Sequence, residues 1–239
     1  MSTAVIIQSN YIPWKGYFDL IAAADVLILY DDVQYTKNDW RNRNRIKTAQ
    51  GPKWLTIPIA TSGHFSQRID EAQTSNDLWA ERHWRSIKQA YNKAPAFDEH
   101  AETFENIYRS LCAEKYLSVI NRTFIDAICC VLGIRLDVHR SQDLVPPSDL
   151  GVTQRLVQLC QSVGANRYLS GPSASGYIES KLFERGGIEL DFMDYAGYPP
   201  YAQLHGEFVH DVSVLDLIFT VGEDADRFMK FRRKSCDHG

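Results

Sequence analysis

The chain has 239 residues, a formal net charge of −4, and 44% hydrophobic against 23% charged residues. That is the balance of an ordinary globular protein with one large domain, or one domain carrying a helical subdomain. The acidic excess argues against a general attraction to nucleic acid or anionic membrane, and no apolar run approaches the roughly 20 residues that cross a bilayer.

The amino terminus, MSTAVIIQSN, has neither the basic lead nor the long apolar core of a signal peptide, so a cytoplasmic location is expected. Residues 3–8 form a continuous apolar run, which predicts a buried strand of a parallel sheet that Pro13 brings to a stop. Tyr17, Leu20, Ile21 and Ala24 recur at helical spacing over 15–24, and VLILY at 26–30 predicts a second buried strand. Strand, helix and strand in so short a span make a compact βαβ unit. WLTIPI at 54–59 reads as a third strand, placed at an edge by Pro58. Residues 61–74 read as a loop with His64 at its tip.

The middle of the chain is helical over 76–92, 98–113 and 116–132, with Gly133 as a C-cap. On the first of these helices Trp79, His83, Trp84 and Tyr91 read as a packing stripe. IRLDVHRS at 134–141 returns to strand character, and a helix follows over 151–163 with Gly164 as its stop. RYLSG at 167–171, a helix at 176–185, and the alternating IELDFMDY at 188–195 complete a second α/β half. SVLDLIFTVG closes as a short helix, and the charged tail is expected to be partly mobile.

The predicted fold class is α/β, a doubly wound, mostly parallel sheet with an inserted helical subdomain. The expected divisions are 1–75, 76–133, 134–222 and the tail 223–239. The five cysteines, Cys112, Cys129, Cys130, Cys160 and Cys236, lack a CxxC pair and are expected to be reduced, and no spacing points to zinc.

Open α/β sheets bind ligands beyond the carboxyl ends of their strands. The loop after the first strand carries Gln8, Asn10, Tyr11, Trp14 and Lys15 ahead of a helix start that offers free N–H groups to a phosphate or carboxylate. Asp31 and Asp32 follow the second strand, where paired carboxylates hold Mg²⁺, bind an amine, act as a base, or simply cap a turn. Gln34, Tyr35 and Lys37 add hydrogen-bonding groups and a cation.

Arg41, Arg43 and Arg45 alternate with Asn42 and Asn44, so on a strand all three guanidiniums share one face as an anion clamp, or else as a charged edge that resists aggregation. Ser170 and Ser173 sit in a strand-to-helix turn, for a substrate hydroxyl or as a helix cap. In YPPYAQLHGEF, Tyr201, Gln203, His205 and Glu207 lie together, with His205 as an acid–base group and His64 and His83 as its competitors.

Several segments together resemble one family. QSNYIPWKGYFDLI, DDVQYTKNDWRNRNRIK, KWLTIPI, WAERHWRSIKQAYNKAPAF, RYLSGPSASGYI and QLHGEFVHDVSVLDLIFTVG are similar to the WbqC-like proteins, from about Val5 to Gly222. The resemblance implies a bacterial setting of surface polysaccharides and unusual amino sugars. The reaction expected on that basis is acyl or aminoacyl transfer, for example of a glycyl group, onto the amine of a nucleotide-linked sugar. Arg41, Arg43 and Lys15 would hold its phosphates, Asp31 or Asp32 would orient or deprotonate the amine, and Tyr17 or His205 would assist.

The partners are then the nucleotide-linked sugar and an acyl donor or aminoacyl-tRNA, with ATP or Mg²⁺ as the cofactors the scheme admits and no membrane partner. The strand–loop–helix layout is also similar to HxGH nucleotidylyl transferases and pantothenate synthetase, but here the four residues are Trp14, Lys15, Gly16 and Tyr17, without either histidine. The alternatives are therefore a nucleotidylyl transferase or ATP-dependent amide ligase, and a non-catalytic binding or assembly protein.

Overall fold

The computed structural model describes residues 1–64, 66–147 and 150–230. Five parallel strands make the main sheet: β1 (Thr3–Ile7), β2 (Val26–Leu29), β5 (Asp137–Arg140), β6 (Arg167–Ser170) and β7 (Glu189–Phe192), in the spatial order β5-β2-β1-β6-β7. The chain builds outward from β1 through β2 to β5, then returns to the other side of β1 for β6 and β7. The strand order therefore reverses between β1 and β6, which is the switch point of a doubly wound sheet.

The continuous apolar runs of β1 and β2 are explained by burial on both faces. Val5, Leu27 and Leu29 join one core with α1 (Lys15–Ala22), while Ala4, Ile6, Val26 and Ile28 join a second core on the opposite face. That second core holds Leu156, Leu159 and Cys160 of α6 (Val152–Ser162) and Phe183 of α7 (Ser180–Arg185).

The sequence placed one strand at 54–59. The structure has a separate antiparallel hairpin there, β3 (Arg43–Thr48) with β4 (Gly51–Thr56), which never joins the main sheet. Gly51 at φ 101° makes the reversal, and Pro52 sits inside β4, where an edge strand tolerates its missing donor.

The helices α2 (Trp79–Tyr91), α3 (Phe97–Ser110) and α4 (Leu117–Leu132) are inserted between the hairpin and β5. Their apolar faces, with that of α8 (Val214–Val221), complete the α1-side core. Trp79, Trp84 and Tyr91 are buried there as the packing stripe predicts, and Gly133 caps α4 at φ 69°. The short α5 (Ser141–Leu144) follows β5 directly.

After Gly222 the chain forms a 3-10 turn to Phe228 that buries Ala225, and beyond it Met229 is buried and the Lys230 amide donates to the Asp19 carboxylate. This part of the expected mobile tail is therefore packed, and 231–239 lie outside the described residues. No helix among the described residues is long and apolar enough to cross a membrane.

Candidate functional site

A cleft of about 740 Å³ opens at the switch point. Its walls come from the carboxyl ends of β1, β2 and β6, from the turn Gly171–Ala174, and from the approach to β3. Of the residues read from the sequence, Gln8, Asn10, Arg41, Ser170 and Ser173 meet there. The Arg41 guanidinium donates to the Asn10 carboxamide oxygen at 2.6 Å and lies 3.6 Å from Asp39. The Ser170 hydroxyl shares a hydrogen bond of 3.1 Å with the Tyr168 hydroxyl, so neither it nor Ser173 caps the following 3-10 turn. Tyr30, Tyr168, Tyr177 and Tyr195 supply aromatic surface. Burial raises the phenol pKa of Tyr30, Tyr168 and Tyr195, so these hydroxyls stay protonated and can donate.

The loop that carries Gln8 and Asn10 is fixed from many directions. β1 ends at Ile7, well before Pro13, and two residues later the Ser9 amide donates to Asp31 at 2.8 Å. Asn121 of α4 donates to the Ser9 carbonyl and hydroxyl and to the Arg41 carbonyl. The Tyr11 amide donates to the Trp40 carbonyl, Asn44 of β3 donates to the carbonyls of Tyr11 and Ile12, and the Val214 amide donates to Pro13. Ile12, fully buried and β-branched, is held at φ 35°. That conformation costs on the order of 1–3 kcal/mol and persists only where the surroundings over-determine it, a condition common at ligand sites.

The two aspartates separate. Burial pushes the Asp31 carboxyl up to about 6, against the opposing pull of the Ser9 hydrogen bonds and of Arg41. Asp32 turns the other way. It pairs with Arg155 of α6 in a buried ion pair and accepts from the Ser141 hydroxyl at 2.6 Å. The aspartates therefore do not form a joint carboxylate site for Mg²⁺, and among the described residues no group of three or more His, Cys, Asp or Glu converges to hold a metal.

The arginine clamp does not form either. Arg41 precedes β3 and faces the cleft, whereas Arg43 and Arg45 on the strand stack on Trp54 of β4, their guanidinium carbons 4.2 and 5.2 Å from its ring centre. Arg45 also pairs with Asp211.

Several other residues serve the scaffold. Lys15 points away from the cleft into a cage of Tyr198, Tyr201 and Phe208, donating to the carbonyls of Pro199 and Phe228, and burial lowers its amine to about 8. Tyr17 is buried and donates to the Gln8 carbonyl at 3.3 Å. Asn42 is buried and bonded to Ile57, the Tyr35 amide is bonded to Gln67, and Gln34 bridges to Arg68. Lys37 is exposed. Gln203 closes its own loop onto Val209, and His205 Nε2 donates to the Ala90 carbonyl at 3.1 Å. None of these lines the cleft. His64 is exposed at the rim of a separate shallow hollow.

Tyr30, Trp40, Tyr168, Tyr177 and Tyr195 escaped the sequence reading although they line the cleft. Tyr30 and Tyr195 close the predicted strands 26–30 and 188–195, so the carboxyl-end rule applied to every strand would have found them, whereas Tyr168 lies near the start of β6. Next to the cleft a smaller slot of about 210 Å³ is bounded by Asn10, Pro13, Trp14, Trp40, Asn44 and Asp211.

The model of the WbqC-like protein family matches residues 8–228. A protein of Mycobacterium tuberculosis described as uncharacterized is 45% identical over 236 residues, which is 98% of this chain and all of that protein. No solved structure matches the chain.

Proposed function

The chain belongs to the WbqC-like protein family, and from that membership we propose that it is a transferase acting on a nucleotide-linked amino sugar, by acyl or aminoacyl transfer to the sugar amine. One observation carries the reading: the cleft lies at the switch point of a doubly wound sheet, and among the described residues one guanidinium, Arg41, faces it amid tyrosine hydroxyls. A guanidinium in that setting pairs bidentately with a phosphate, while phenol faces and hydroxyls suit a nucleoside. Asp31 is not part of the cleft lining; it is buried behind the Gln8–Asn10 loop, where it holds the Ser9 amide, and it is the acid–base group this reading assigns. Its carboxyl titrates near 6, and its charge acts on both Arg41 and Tyr17. Adenylyl transfer is the weaker reading, because Lys15, the cation of the helix start, is turned into its aromatic cage.

The test is a thermal-shift screen against nucleoside diphosphates, their amino-sugar conjugates and ATP, each with and without magnesium. Ligand at one hundred times its Kd stabilises the folded state by about 2.7 kcal/mol. A conjugate should therefore raise the melting temperature by several degrees, and Arg41→Ala should remove the rise. If no conjugate stabilises the wild-type chain at millimolar concentration, the reading is wrong. Once a reaction is assigned, its rate should climb with pH through about 6 as Asp31 ionises, and Asp31→Asn should abolish that limb.

A further inference from the structure

The slot beside the cleft has a different chemistry from the cleft itself. Trp14, Trp40 and Pro13 give it apolar walls, and its polar groups are Asn10, Asn44 and Asp211. Each of these groups is aimed by a partner. Asn10 has its carboxamide oxygen committed to Arg41, so it offers the slot its NH₂ group. Asn44 spends its amide hydrogens on the carbonyls of Tyr11 and Ile12 and accepts from the Arg45 amide, so it shapes the wall, while Asp211, steered by its ion pair with Arg45, is the exposed polar edge. Trp14 is braced edge-on by Tyr195 and Tyr198, with ring centres 5.1 and 5.8 Å away.

Indole faces stack on the C–H faces of a pyranose, and carboxylate and amide groups at the edge bond its hydroxyl or acylamino substituents. At about 210 Å³ the slot is smaller than an ordinary drug-sized pocket and takes one ring with its substituents. The slot and the cleft share Asn10 and Trp40, and the Arg41–Asn10 hydrogen bond lies at their junction.

We propose that this tryptophan slot is the subsite for the hexose ring of the nucleotide-linked sugar, with the diphosphate on Arg41 and Asn10 at the junction and the nucleoside in the larger cleft. The assignment rests on the function proposed above and adds the direction in which the substrate lies. It also places the sugar substituents beside Trp14 and Asp211, away from the turn at Gly171–Ala174.

Calorimetric titrations with UDP, dTDP, their conjugates with 2-acetamido-2-deoxyglucose, and the free sugar test it, alongside tryptophan emission. A conjugate should bind at least tenfold more tightly than its own nucleotide. Asp211→Asn, at an exposed position, and Trp40→Ala should each cut that ratio fivefold or more, with Asp211→Asn leaving nucleotide affinity unchanged. The free sugar should quench wild-type tryptophan emission, and the quench should weaken in Trp40→Ala. A conjugate that binds no better than its nucleotide, or a ratio that both variants leave intact, overturns the slot assignment while the nucleotide cleft stands. Quenching by the free sugar without nucleotide binding keeps the slot and overturns the nucleotide reading. Binding of none of these probes overturns both.

Discussion

Two buried groups respond to acid in opposite directions. His83 of α2 is inside the core, where Nδ1 meets the Tyr11 hydroxyl at 2.9 Å and Tyr11 meets Tyr108 at 2.6 Å. Burial lowers the imidazole from 6.5 to about 4. As the pH falls through that window the unfolded imidazole takes a proton that the folded one refuses, so His83 removes stability, about 2 kcal/mol between pH 7 and pH 5. Asp31 does the reverse. Its folded carboxyl keeps a proton up to about 6, above the ordinary 3.8, so acidification over the same interval returns about 1 kcal/mol. Denaturant unfolding at the two pH values should therefore separate the variants. Asp31→Asn should lose stability at pH 5 more steeply than the wild type, and His83→Phe should become more stable there. Equal slopes in both would show that these two groups do not govern the acid response. Neither environment was legible beforehand. His83 sits in a stripe that reads correctly as packing, but its hydroxyl partner Tyr11 comes from 72 positions away.

At the scale of elements, two devices set the geometry of the site. Gly16 in the first turn of α1 leaves room for the Trp14 ring, since a β-carbon there would lie 2.2 Å from it. Gly16→Ala should displace the indole and cost about 1–3 kcal/mol, read as a lower melting temperature together with a shift in tryptophan emission. The second device ties the end of β2 to α6 through Asp32 and Arg155. Asp32→Ala leaves a buried guanidinium without its partner and should cost about 3–5 kcal/mol, whereas replacing both residues with apolar ones of similar size should cost much less. A double-mutant unfolding cycle checks this, and a double variant as damaged as the single one would contradict it. The parallel strands and the inserted helices were readable because their periodicity is local. The hairpin was not, because Arg43 and Arg45 alternate as a strand should, yet their destination is the Trp54 ring on the returning strand. Likewise, the adjacency of Asp31 and Asp32 looked like a shared site, but alternation at a strand end sends neighbouring side chains to opposite sides.

For the molecule as a whole, one sheet with a core on each face ties the first helix to the last described segment. The segment after Gly222 buries Met229 over the α1-side core, and its Phe228 carbonyl receives Lys15. Truncation after Gly222 should therefore cost on the order of 3 kcal/mol and lower the melting temperature by several degrees. It should also let the Lys15 amine titrate closer to its ordinary value of 10.5, which site-specific NMR would read. A truncated chain that melts like the full one would show that the segment only decorates the surface.

The bracing of the Ser9–Trp14 loop has an evolutionary consequence. Most of its tethers grip main-chain atoms and come from side chains elsewhere, chiefly Asp31, Asn44 and Asn121. The identities of Asn10 and Trp14 are thereby partly uncoupled from the path of the chain. Selection, or a designer, can exchange those two residues to retune ligand preference on an unchanged chassis, while drift at the remote Asn121 would loosen the site without touching a single ligand contact.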